Sequence, residues 1–90
     1  MMADKKQMTR LLKTARGQLD GILKMVAEDR YCIDISNQLM ATQSILSKAN
    51  AAILQAHMAH CVSAAMDSDD EAVKKEKLDE IAQLLQKLAK

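Results

Sequence analysis

The sequence predicts an all-α fold, and three observations predict it. Hydrophobic residues make up 49% of the 90 residues but aromatic ones only 1%, which deprives β-strands of their usual formers. There is no proline and there are only two glycines, so the tight turns of a sandwich or barrel lack their residues. The apolar side chains instead recur at three- and four-residue spacing, the period of helices with one face in a core. A single domain spanning residues 1–90 is expected, and a lone domain of this size buries only roughly 60–65% of its unfolded surface.

The first helix is expected over roughly 4–27, where Met8, Leu11, Leu12, Ala15, Leu19, Ile22, Leu23 and Val26 form one apolar face. Gly17 and Gly21 interrupt it at about 1 kcal/mol each relative to alanine, and a close approach of a second helix is the expected reason. Glu28-Asp29-Arg30 reads as a short polar turn. The second helix is expected over roughly 33–66, about 34 residues or ~50 Å at 1.5 Å per residue. Between Tyr31 and Met66 its only charged residues are Asp34 and Lys48, and a helix so poorly charged is normally buried on most sides. Asp67-Ser68-Asp69-Asp70-Glu71 is an acidic break with N-cap chemistry. Val73, Leu78, Ile81, Leu84, Leu85 and Leu88 then outline a third helix over roughly 72–88.

Three helices of such unequal length leave part of the middle one uncovered in a monomer. Two chains with their second helices antiparallel would cover it as a four-helix bundle, a common two-fold solution. No apolar run is long enough for a membrane span and no secretion leader opens the chain, so a cytoplasmic protein without a membrane partner is expected. Two cysteines are too few for a disulfide framework, which leaves buried hydrophobes or chemistry. No nucleotide-binding loop, nucleophilic triad or paired-carboxylate arrangement is present, and the chain is not expected to be an enzyme.

The chemistry lies in Cys32, His57, His60 and Cys61, with Met25, Met40, Met58 and Met66 as weaker thioether donors. His57 and Cys61 stand four apart on a helix and project from one face, which suits two ligands of one ion. Cys32 precedes His57 by 25 residues, about 37 Å along an unbroken axis, so one chain cannot bring both to one metal. In an antiparallel dimer Cys32 of one copy meets His57 and Cys61 of the other. Two thiolates and one imidazole favour Cu(I) over Zn(II) or Ni(II), and a thiol at a helix start is expected to ionise more readily than a free one. The bland readings are that the methionines are packing and that His60, turned about 100° from Cys61, is solvated.

Net charge is +1, but residues 1–24 carry +4 while 25–66 carry −1 and 67–90 carry −2. Lys5, Lys6, Arg10, Lys13, Arg16 and Lys24 give the first helix a basic sector unbalanced by acids. Such a sector is often only a wet face. Repeated across an oligomer, it suits sequence-independent contacts to phosphates.

The stretch Thr14-Ala15-Arg16-Gly17-Gln18-Leu19-Asp20-Gly21-Ile22, the block Arg30-Tyr31-Cys32-Ile33-Asp34-Ile35 and the run His57-Met58-Ala59-His60-Cys61 together resemble the CsoR/RcnR family of bacterial repressors, over about residues 8–88. The resemblance implies an all-helical protomer, an antiparallel four-helix-bundle dimer and a dimer of dimers, with double-stranded operator DNA as partner. Within the family the set Cys32, His57 and Cys61 is like that of the copper(I) sensors, whose targets serve copper resistance. Tyr31 and Glu80 would then link the bound copper to the third helix, with Glu76 close by. The family's first helix usually carries an arginine where this chain has Leu11, and copper sensors often carry another where Ala51 stands. Arg10, Lys13, Arg16 and Lys48 are therefore expected to make the operator contact. The alternatives are a persulfide sensor using Cys32 and Cys61 without metal, and a metal-binding protein that does not touch DNA.

Overall fold

The structure is a computed structural model that describes residues 1–88; the last two positions of the expected 1–90 domain lie outside the described residues. Three helices follow one another: α1 (Lys5–Ala27), α2 (Cys32–Asp67) and α3 (Glu71–Leu88). The all-α expectation holds, and the helix ends fall within a residue of the expected ones. Among the described residues no helix is long and apolar enough to cross a membrane.

Local chemistry explains each boundary. Asp4 caps α1, its Oδ1 accepting from the Lys6 amide at 3.0 Å. At the other end the Arg30 amide donates to the Met25 carbonyl at 3.0 Å and the Asp29 amide to Val26 at 3.1 Å. This is a Schellman ending, and Asp29 takes the left-handed position, φ 52°, usually given to glycine. The polar turn read from the sequence thus stops a helix without glycine or proline. Between α2 and α3, Ser68 Oγ accepts from the Asp70 amide at 3.1 Å. Asp70 Oδ1 in turn accepts from Ala72 at 2.9 Å, which makes Asp70 the cap of α3.

The chain packs as two units. One, Asp4–Asn50, joins α1 to the first half of α2 and buries Met8, Ala15, Ile22, Thr42 and Ala49. Its two helices are tied by the Thr42 hydroxyl, which donates to Gln18 Oε1 at 2.8 Å with the Gln38 carbonyl as a second acceptor at 3.2 Å. The other, Met1–Ala3 with Ala51–Lys90, joins the second half of α2 to α3 and buries Cys61, Ala65 and Leu84.

Two faces stay open in the single chain. Within the chain no second helix approaches Gly17 or Gly21: apart from their own helix, nothing lies within 4 Å of where a Cβ would stand at either. The residues that face α2 are Ala15, Gln18 and Ile22, and Gly17 lies about 200° round the helix from Ala15. As expected of a single chain, part of α2 stays uncovered. Each unit gives its half of α2 one helical neighbour, and Leu39, Met40, Leu46, Val62 and Met66 stay exposed. Leu12, Leu19, Leu23 and Val26, counted in the apolar face of the first helix, are exposed as well.

Candidate metal centre

The site is built within the Ala51–Lys90 unit. His57 and Cys61, one turn apart on α2, present a nitrogen and a sulfur in one direction, and α3 brings the Glu80 carboxylate to meet them. The three donor atoms lie within 4.8 Å of one another. His57 Nε2 is 2.5 Å from Glu80 Oε1. Lys77, one turn before Glu80 on α3, sets its Nζ 3.9 Å from the other carboxylate oxygen, Oε2.

Burial is uneven across the cluster, and that sets its electrostatics. Cys61 is fully buried, while the side chains of His57 and Glu80 remain 41% and 37% exposed. Burial pushes the Cys61 thiol above the ordinary thiol range; the Glu80 charge and its hydrogen bond push the same way, and Lys77 pulls against them. Glu80 is held below the usual carboxylate range, chiefly by its hydrogen bond with His57 and further by Cys61 and Lys77, against a desolvation cost. Without metal, then, Cys61 keeps its proton at neutral pH and Glu80 is ionised. Coordination by Cys61 must release that proton.

Of the residues singled out from sequence, the structure brings together His57, Cys61 and Glu80. Glu76 is exposed and outside the cluster. Cys32 is exposed at the first residue of α2 and Tyr31 is 65% exposed; both belong to the Asp4–Asn50 unit. His60 is exposed, as are Met40 and Met66. Lys77 was not found by sequence reasoning; its one available signal is the Lys-x-x-Glu spacing that places it over Glu80 on a helix.

The basic residues occupy the Asp4–Asn50 unit. Arg10, Lys13, Arg16 and Lys48 are all exposed, and no ion pair among the described residues engages them. Lys5, Lys6, Arg10 and Lys13 line a shallow depression along α1 with Asp4, Thr9 and Thr14.

The donor set is partly matched to a metal. One thiol and one imidazole on adjacent turns make a soft, two-ligand bite, suited to Cu(I) once a second soft donor joins. The third donor that this chain supplies is a carboxylate, whose nearer oxygen is already on His57.

Comparison with known proteins adds independent information. The model of a family described as metal-sensitive transcriptional repressor matches residues 4–87. The chain is 46% identical over 71 residues to the copper-sensing transcriptional repressor CsoR of Mycobacterium ulcerans, covering 78% of this chain and 61% of that one. It is 39% identical over 82 residues to the CsoR of Mycobacterium bovis, covering 90% and 69%. With the CsoR of Bacillus subtilis it shares 42% over 67 residues, covering 74% and 66%. The matched region therefore spans about two thirds of these relatives' length. Among solved structures, the nickel-responsive transcriptional regulator InrS superposes with a TM-score of 0.83 at 24% identity, over 98% of this chain and 96% of that one, a likeness of fold.

Proposed function

We propose a function that proceeds from one premise: the chain belongs to the family of metal-sensitive transcriptional repressors. It is a Cu(I)-responsive repressor of the cytoplasm. The metal-free protein holds double-stranded operator DNA through Arg10, Lys13, Arg16 and Lys48, whose contacts are to phosphates and salt-sensitive. Cu(I) is held by His57 and Cys61 of one chain and Cys32 of a second copy, and the metal-bound form has lower affinity for the operator. A coupling of about 1–3 kcal/mol, or 5–150-fold in affinity, is the usual size of such linkage and suffices for a switch. Copper-resistance genes are the expected targets.

One observation carries this reading: His57 and Cys61 converge with Glu80 already seated on His57 Nε2. A carboxylate on one ring nitrogen orients the imidazole and leaves Nδ1 for a metal, as ligating histidines generally require. The relatives that are 39–46% identical to this chain over the matched residues are named copper-sensing, which supports copper over other ions. A dimer, and a tetramer built from it, accounts for the exposed apolar residues of α1 and α2, because a second copy covers Leu19, Leu23, Leu39 and Leu46. Antiparallel packing of the two α2 helices carries Cys32 toward the His57 end of its neighbour. Glu80, joined to His57 from α3, then couples the site to a second helix.

Fluorescence anisotropy of a labelled operator fragment tests the switch. Wild-type protein is expected to release the fragment on addition of one Cu(I) per chain, and His57→Ala to bind it equally well but keep it. Release by His57→Ala at the same copper level would overturn the role of His57. Competition by unlabelled nonspecific DNA as effective as unlabelled operator would overturn specific repression.

A further inference from the structure

The cluster holds a carboxylate between two partners, and the second partner has no part in the function above. We propose that Lys77 sets the metal preference of the site by keeping Glu80 as a partner of His57 and out of the set of metal ligands. The inference rests on the reading of His57 and Cys61 as metal ligands.

The geometry is that of a carboxylate with both oxygens engaged. Oε1 meets His57 Nε2 at 2.5 Å and Oε2 lies 3.9 Å from Lys77 Nζ. The Lys77 side chain is only 31% exposed, so the ammonium is partly withdrawn from water and less screened than a surface lysine. The Cys61 sulfur, a His57 nitrogen and a Glu80 carboxylate oxygen already lie within 4.8 Å of one another, and Lys77 stands on the carboxylate oxygen that His57 leaves open. Cys, His and a carboxylate form a set that divalent first-row ions accept readily, whereas Cu(I) prefers the soft donors alone.

Charge points the same way. With metal bound, Cys61 is a thiolate beside the Glu80 carboxylate, two negative charges in one cluster. Lys77 offsets one of the negative charges gathered at the site, to which the Cys32 thiolate of the second copy adds another, so its removal makes the site one charge more negative and favours a divalent over a monovalent ion. Lys77 is thus a positioning residue that acts through Glu80 and touches no metal itself.

Anaerobic titrations with Cu(I) and, separately, with Co(II), each against a chromophoric chelator, test this on the full-length reduced protein. Co(II) adds its own readout, because its absorption reports thiolate ligation and coordination number. Lys77→Met is expected to raise the ratio of Co(II) to Cu(I) affinity about tenfold, at the low end of the 10–100-fold effects of residues behind metal ligands. Lys77→Arg is expected to restore the wild-type ratio, and Lys77→Met with Glu80→Gln to lose the cobalt gain. An unchanged ratio in Lys77→Met would overturn the proposal. So would equal weakening for both metals with native helicity by circular dichroism, or a cobalt gain that survives Glu80→Gln. Wild-type protein that holds no Cu(I) would overturn the copper reading instead, and the cobalt arm would still decide the role of Lys77.

Discussion

The two units of this chain handle their polar groups in opposite ways. In Asp4–Asn50 the chemistry is on the surface: the thiol of Cys32 and the cations Arg10, Lys13, Arg16 and Lys48 are exposed, and the one buried polar residue, Thr42, is paired with Gln18. In the unit that begins at Ala51 the chemistry is half inside: Cys61 is buried, and His57, Glu80 and Lys77 engage one another around it. In the proposed function the first unit meets other molecules, DNA through its cations and a neighbouring copy through its apolar residues. In the same proposal the second holds a small soft ion.

Loss of a ligand is the largest effect that comparison predicts. Cys61→Ser is expected to weaken Cu(I) by more than about 100-fold, beyond the 10–100-fold typical of residues behind the ligands, in competition with a chelator. Cys32→Ser is expected to match it although it lies in the other unit, and a Cys32→Ser protein with wild-type affinity would break the comparison. Next is reactivity. In the metal-free protein at neutral pH, exposed Cys32 should be alkylated well before Cys61, whose thiol is buried and held protonated. Because the Cys61 pKa is raised, its labelling should climb only at pH values above those that activate an ordinary thiol, as followed by mass spectrometry. Equal rates for the two at pH 7 would contradict the burial contrast.

Smaller effects sharpen the account of the first unit. Arg16→Ala should weaken operator binding and lower the magnitude of its salt slope by about 1, one phosphate contact's share. Thr42→Val is expected to cost about 1 kcal/mol in denaturant unfolding, the usual net value of a hydrogen bond, because Gln18 loses its donor. Gly17→Ala and Gly21→Ala should each stabilise the protein by at most about 1 kcal/mol, since open space surrounds both positions and only helix propensity changes. Destabilisation by either alanine would show that something in the assembly approaches α1 closely there.

Much of this was legible in the sequence, for physical reasons that differ by element. Helices announce themselves by period, and Asp4 and Asp70 stand where capping chemistry ends an apolar series. The pairing of His57 with Cys61 is a matter of four residues on one helix, so spacing alone delivers it. Glu80 is different: its meeting with His57 depends on the register of α3 against α2, which periodicity does not contain, and it came into view through family resemblance. Lys77 follows only once Glu80 is placed. For the glycines, spacing says that two of them share a face without saying what meets it, and within one chain nothing does. The pairing of Thr42 with Gln18, 24 residues away, carried no sequence signal.

The central claim is that the exposed thiol of one unit completes, in a second copy, the half-formed site of the other. The direct test mixes two chains by co-refolding: Cys32→Ser, which keeps His57 and Cys61, and His57→Ala with Cys61→Ser, which keeps Cys32. Each alone should fail to hold Cu(I) against the chelator, and the isolated mixed dimer should hold one Cu(I) per pair of chains at wild-type affinity. A mixed dimer that holds none, or a Cys32→Ser homodimer that already holds one per chain, would contradict it.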